Sequence, residues 1–157
     1  MKTYSQININ IDSLEILNLI KTPKNLEKFH PFCKKNKVCN WGNKDSVDYI
    51  YYYSGRTYKR KFIEWNDNGY ILEIFDNRKL AKITWMVDSV PNGSIVKIFA
   101  EPLLPFGYKH INFLIFHIYV KYILKSYLKS VLKGLKYYSE TKIIVKKDQF
   151  GKHIWYS

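Results

Sequence analysis

The chain opens on strict alternation. In Thr3 to Ile11 (TYSQININI), Ile7, Ile9 and Ile11 recur at every second position, which predicts a half-buried strand. Asp12 or Ser13 then stands where a helix needs its cap. Leu14, Leu17 and Leu19 are among the apolar residues of a short helix that runs through Ile20. Thr22-Pro23 reads as a second cap, with proline at the first helical position. That second helix carries Leu26 and Phe29 and stops before His30-Pro31, because proline disfavours a helical conformation in the residue preceding it.

From Phe32 to Pro102 the period is two. Strands are expected at Lys37 to Trp41, Val47 to Ser54 (VDYIYYYS), Tyr58 to Trp65, Tyr70 to Asp76, Leu80 to Val90 and Ile95 to Glu101. Gly55, Asn66-Asp67-Asn68-Gly69 and Pro91-Asn92-Gly93-Ser94 supply the turn chemistry of antiparallel hairpins.

The last pattern, His110 to Tyr138, has a helical period. Lys121, Lys125, Lys129 and Lys133 form one stripe. Opposite them fall Phe113, Phe116, Val120, Ile123, Leu124, Tyr127, Val131 and Tyr138, which are expected to face a sheet. Gly134, on the inner side, is expected to let the sheet or the chain's tail come close. Lys121 and His117 break the apolar run well short of the ~20 residues that a membrane span requires. Ile111, Leu114, Ile115, Ile118 and Tyr122 are left over on the lysine side. The tail, a second copy of the chain or an anionic membrane surface could cover them.

Strand, two short helices, about six strands and one long helix predict an α+β fold in which a curved antiparallel sheet grips the final helix. One domain over residues 1–157 is expected, with 142–157 as a tail packed upon it. The same order resembles the helix-grip fold of the START-like (SRPBCC) superfamily, which includes polyketide cyclases/dehydrases and lipid-transfer proteins. The opening INIDSLEILNLIKTPKNLEKFHP, the segment YYYSGRTYKRKFIEW and the ending QFGKHIWYS carry the resemblance. It implies a ligand cavity between sheet and helix, and no motif in these stretches marks a catalytic residue.

Alternation then suggests which residues line that cavity. If Asp48 points outward, Tyr49, Tyr51 and Tyr53 point in. If Lys59 and Lys61 point outward, Tyr58, Arg60, Phe62 and Glu64 point in. Leu72, Ile74, Ile83, Trp85, Val96 and Ile98 complete the sheet side, and Phe113, Phe116, Val120 and Leu124 the helix side. Arg60 and Glu64 would be polar groups in an aromatic interior, either paired with each other or across strands, or orienting a ligand.

Charge changes this picture little. The formal net charge is +13, which raises nucleic acid and anionic membrane as partners. The basic residues are lysine except for Arg56, Arg60 and Arg78, and scarce arginine argues against specific nucleic-acid readout. Cys33 and Cys39 fit neither a disulfide framework nor a zinc pattern. His30, His110, His117 and His153 are scattered, so no metal and no cofactor is expected. The opening residues contain no apolar signal segment, and a cytoplasmic location is expected.

The expected function is binding or transport of a small hydrophobic molecule (a lipid, a polyketide-like compound or an aromatic metabolite). The alternatives are a polyketide cyclase/dehydrase-like enzyme and binding of nucleic acid or membrane through the basic surface.

Overall fold

The computed structural model describes residues 1–157. Its elements are β1 (Thr3–Ile9), α1 (Ser13–Lys21), α2 (Leu26–Phe29), β2 (Cys33–Asn40), β3 (Val47–Tyr52), β4 (Thr57–Asn66), β5 (Gly69–Phe75), β6 (Lys79–Val90), β7 (Gly93–Pro102), α3 (Lys109–Ile115), a π-helical turn (Phe116–Val120) and α4 (Lys121–Thr141). The strands form one antiparallel sheet in the order β1-β7-β6-β5-β4-β3-β2, and α4 packs against β1, β7 and α2. This is an α+β helix-grip fold.

Local chemistry explains the two short helices. The Asp12 carboxylate accepts from the Leu14 amide at 2.8 Å and caps α1, whose Ile16 and Ile20 are fully buried. Thr22 is extended, as the residue before Pro23 must be, so Thr22-Pro23 ends α1 instead of opening α2. The Asn25 amide donates to the carbonyls of Ile20 (2.5 Å) and Leu19 (3.2 Å), satisfying groups that the end of α1 leaves open.

The long helix departs from a uniform α phase. The π-helical turn inserts one extra residue, which rotates everything before it relative to α4. Phe113, expected to face inward, is therefore 59% exposed. Ile111 and Ile115 are the partly buried apolar residues of α3. Phe116 and Val120, within the turn itself, are buried as the period requires. No helix is long and apolar enough to cross a membrane.

Gly134 has a different neighbour from the one its position suggested. A β-carbon there would lie 2.0 Å from the Phe29 carbonyl oxygen. The glycine thus lets the end of α2, neither sheet nor tail, settle onto α4. Residues after α4 return along the same region: the Val145 amide donates to Lys28 O (3.0 Å) and the Asp148 amide to Pro31 O (3.1 Å).

Candidate functional site

A cavity of about 480 Å³ lies between the concave face of the sheet and α4. From β4, β5, β6 and β7 it receives Tyr58, Arg60, Leu72, Ile74, Ile83, Trp85 and Ile98. Val120 and Leu124 close it from the helix side. Phe62 and Phe116 are fully buried without lining the cavity; Phe62 belongs to the packed core, edge-on against Trp41 and Tyr70.

One row and one further residue expected inside are not there. Tyr49 and Tyr51 lie on the outer face of β3 and Tyr53 is exposed in the turn that follows it, while Ile50 and Tyr52 take the inner positions. The cause is Asp48, which is completely buried because it stands directly opposite Arg60 in the β3–β4 ladder. Cross-strand partners share a face, so an inward Arg60 requires an inward Asp48. The turn around Gly55, whose φ of +86° suits glycine, sets that register, and the signal was present in the hairpin. Glu64 is likewise outside. A bulge between Phe62 and Glu64 breaks the alternation, and the carboxylate is exposed and accepts from Asn66 Nδ2 at 2.9 Å.

Two hydrogen-bonded networks of buried polar groups reach the cavity wall. In the first, Arg60 donates from Nε to Asp48 Oδ1 (2.7 Å) and from Nη2 to Asp48 Oδ2 (2.5 Å), while Asn36 Nδ2 also donates to Asp48 Oδ2 (2.9 Å). Burial opposes the guanidinium charge, but the Asp48 carboxylate outweighs it, leaving the Arg60 pKa above its ordinary value. Arg60 is thereby committed to an internal bidentate pair.

The second network is a chain of His30, Tyr127 and Tyr52. The Phe32 amide donates to His30 Nδ1 (3.2 Å), so the neutral ring carries its hydrogen on Nε2. Nε2 meets the Tyr127 hydroxyl at 2.8 Å, which in turn meets the Tyr52 hydroxyl at 2.8 Å. Three hydrogens serve two contacts, and one hydroxyl hydrogen of the tyrosine pair is left for an acceptor from outside. Burial, reinforced by the Arg60 charge, lowers the His30 pKa to about 3, so the imidazole is neutral at physiological pH. Burial first, and the neighbouring Tyr156 next, raise the pKa of Tyr127. Burial and then Tyr127 raise that of Tyr52, so both phenols keep their protons.

Residues outside the expected rows complete the wall. His30 is delivered by the α2 approach that Gly134 permits. From the tail, Tyr156 stacks on Tyr52 with ring centroids 4.4 Å apart, and His153 Nε2 lies 3.1 Å from Ile123 O, latching the tail to α4. The exposed lining residues are Arg56, Arg78, Leu103 and Pro105. They come from the β3–β4 turn, the β5–β6 turn and the segment after β7. Alternating strand direction places all three at one end of the sheet, and that end is the mouth.

No protein-family model matches this chain, and no curated protein matches it in sequence. Solved structures match its fold. A START superfamily protein from Mycobacterium smegmatis is 8% identical with a TM-score of 0.70, covering 90% of this chain and 98% of that one. XoxI from Bacillus cereus is 16% identical with a TM-score of 0.66, covering 90% and 96%. The di-domain ARO/CYC StfQ of the steffimycin biosynthetic pathway is 9% identical with a TM-score of 0.72; the match spans 90% of this chain and 51% of StfQ. These likenesses establish a START-like fold, with di-domain ARO/CYC proteins among its neighbours.

Proposed function

We propose that the protein binds and carries a small hydrophobic molecule in the cavity between the sheet and α4. The observation that carries this reading is a space of about 480 Å³ with an apolar wall and one open end, within the size range of small-molecule sites. Burying roughly 300 Å² of apolar ligand surface is worth roughly 7 kcal/mol before ordering costs. The spare hydroxyl hydrogen of the Tyr52–Tyr127 pair would suit a ligand with a carbonyl or other acceptor.

Binding is favoured over a cyclase-like reaction by the state of the polar groups. The Arg60 charge is paired with Asp48, Glu64 lies outside, and an imidazole with a pKa near 3 is a poor general base at neutral pH.

Loading at an anionic bilayer is part of the proposal. The segment after β7 leads from the mouth into α3 and the π-helical turn, whose Phe113, Leu114 and Ile118 are 57–67% exposed; Lys109 at the start of α3 and Lys125 in the first turns of α4 are exposed too. The tail leaves them uncovered. An apolar patch rimmed by lysine is complementary to anionic lipid. Co-sedimentation with vesicles containing phosphatidylglycerol, absent with phosphatidylcholine alone, is the expected result; no dependence on anionic lipid removes this part.

Nile red titration tests the cavity itself. Saturable binding of one dye per chain, abolished by the cavity-filling substitution Leu124→Trp, is expected. Dye binding that Leu124→Trp leaves unchanged would place the dye elsewhere and overturn the reading.

A further inference from the structure

The charged side chains that line the cavity are Arg56, Arg60 and Arg78. These are all the arginines in the chain; lysine, abundant everywhere else on the surface, contributes nothing to the wall, and neither does aspartate or glutamate. Arg60 is neutralised by Asp48. Arg56 and Arg78 form no ion pair with any carboxylate.

Topology brings the two rim arginines to one mouth. Arg56 stands in the β3–β4 turn at the entry to β4. Arg78 stands in the β5–β6 turn at the entry to β6, its carbonyl accepting from the Asp76 amide at 3.0 Å. Both turns lie at the same end of the sheet and both arginines line the cavity. Two unpaired guanidinium charges at one opening make it electropositive and attract an anion. Asp76 does not neutralise them, because it lies on the outer face in a shallow groove with Tyr49, Thr57 and Lys59. The Arg56 side chain is held weakly, its Nη1 lying 3.4 Å from the Tyr58 hydroxyl, so the guanidinium remains available.

We infer that the ligand is an amphipathic anion whose apolar body fills the cavity and whose carboxylate or phosphate end is held at the mouth between Arg56 and Arg78. This rests on the cavity-binding reading above and adds the chemical class of the guest. Guanidinium suits the task because its planar fork meets a carboxylate or phosphate through two parallel hydrogen bonds, whereas the ammonium of lysine acts as a point charge. The arrangement also orients the ligand. Its apolar end goes in first, toward Leu26 and Val131, and its charge stays where water still reaches it, avoiding the cost of burying an ion.

A matched pair of probes tests this: dansylaminoundecanoic acid and its methyl ester, followed by dansyl fluorescence on the full chain. Variants are R56Q, R78Q and the double variant. Both side chains are exposed, so unchanged far-UV circular dichroism and thermal midpoints are expected. The acid should bind about tenfold tighter than the ester in the unmodified protein, the gain of roughly one charge-assisted contact. In the double variant that preference should shrink to about twofold or less, while ester affinity stays the same, and added salt should weaken the acid alone.

Millimolar acetate should fail to displace the acid; displacement would identify a site for free small anions and overturn the inference. Equal binding of acid and ester in the unmodified protein would overturn it and leave the cavity reading intact. A preference that persists in the double variant would assign it to the general lysine field, again overturning it. Binding of neither probe would sink the cavity reading and this inference together.

Discussion

Neutralising Asp48 while leaving Arg60 in place tests whether that arginine is part of the scaffold or free to hold a guest. Asp48 is completely buried and Arg60 is 6% exposed. Two guanidinium hydrogen bonds, at 2.7 and 2.5 Å, and one from Asn36 converge on the carboxylate. Asp48→Asn keeps the shape but sets an amide donor against a guanidinium donor and strands a buried positive charge. Removing one partner of a buried pair costs about 3–5 kcal/mol. Natural domains hold about 5–15 kcal/mol in total. At about 2–4 °C per kcal/mol for this size, the melting temperature should fall by about 6–20 °C.

Urea unfolding, followed by tryptophan fluorescence and far-UV circular dichroism, measures the loss as a shifted midpoint at constant slope. A companion double variant, Asp48→Leu with Arg60→Met, removes both charges and keeps the volume. It should recover to within about 2 kcal/mol of the unmodified protein, with Asn36 Nδ2 still donating to Tyr49 O at 3.1 Å. A loss below about 1 kcal/mol for Asp48→Asn would refute the reasoning. Arg60 would then be solvated without its partner and open to a ligand.

Gly134→Ala should destabilise by about 1–3 kcal/mol despite alanine's higher helix propensity, since its β-carbon meets the Phe29 carbonyl at 2.0 Å; a raised urea midpoint would contradict the close approach. Tyr127→Phe should cost more than Tyr52→Phe, because only the former leaves His30 Nε2 without its partner. Differences of about 1 kcal/mol, resolved by the same unfolding assay, decide the order. His30 governs a pH dependence. Burial, then the Arg60 charge, lower its folded pKa to about 3, whereas the unfolded side chain titrates near 6.5. The unfolded chain therefore binds more protons as pH falls, and stability declines from about pH 6.5 toward pH 3, by up to about 1.4 kcal/mol per pH unit. His153, also lowered chiefly by burial, contributes with the same sign. His30→Gln should flatten the decline; identical slopes in the two proteins would remove His30 as its source.

The architecture was legible because it rests on periodicity and punctuation. Ile7 and Ile9 alternate, Asn66 to Gly69 turn, and the lysine stripe of α4 repeats with the helix; each is local and survives in an isolated string of letters. The cavity wall was legible only where no pairing decision intervened, as for Leu72, Ile74, Ile83, Trp85 and Ile98. It failed at β3, where a charge was assigned to the outside by its type although its cross-strand partner held it inside. It failed at Glu64, where a bulge inserts a residue into one strand, and at Phe113, where a π-helical turn does the same to a helix. A single inserted residue reverses a face in a strand and rotates one in a helix, and no propensity announces it.

By itself, then, the sequence determined the order of elements, their hydrophobic faces and the α+β grip, since those follow from spacing along the chain. Only tertiary structure decided that His30, Tyr127 and Tyr52 meet, that Asp48 consumes Arg60, and that Arg56 and Arg78 share one rim. Those residues come from separate elements: the end of α2, α4, the strands β3 and β4, and two hairpin turns. Their meeting depends on register, on one close approach at Gly134 and on which end of a curved sheet stays open.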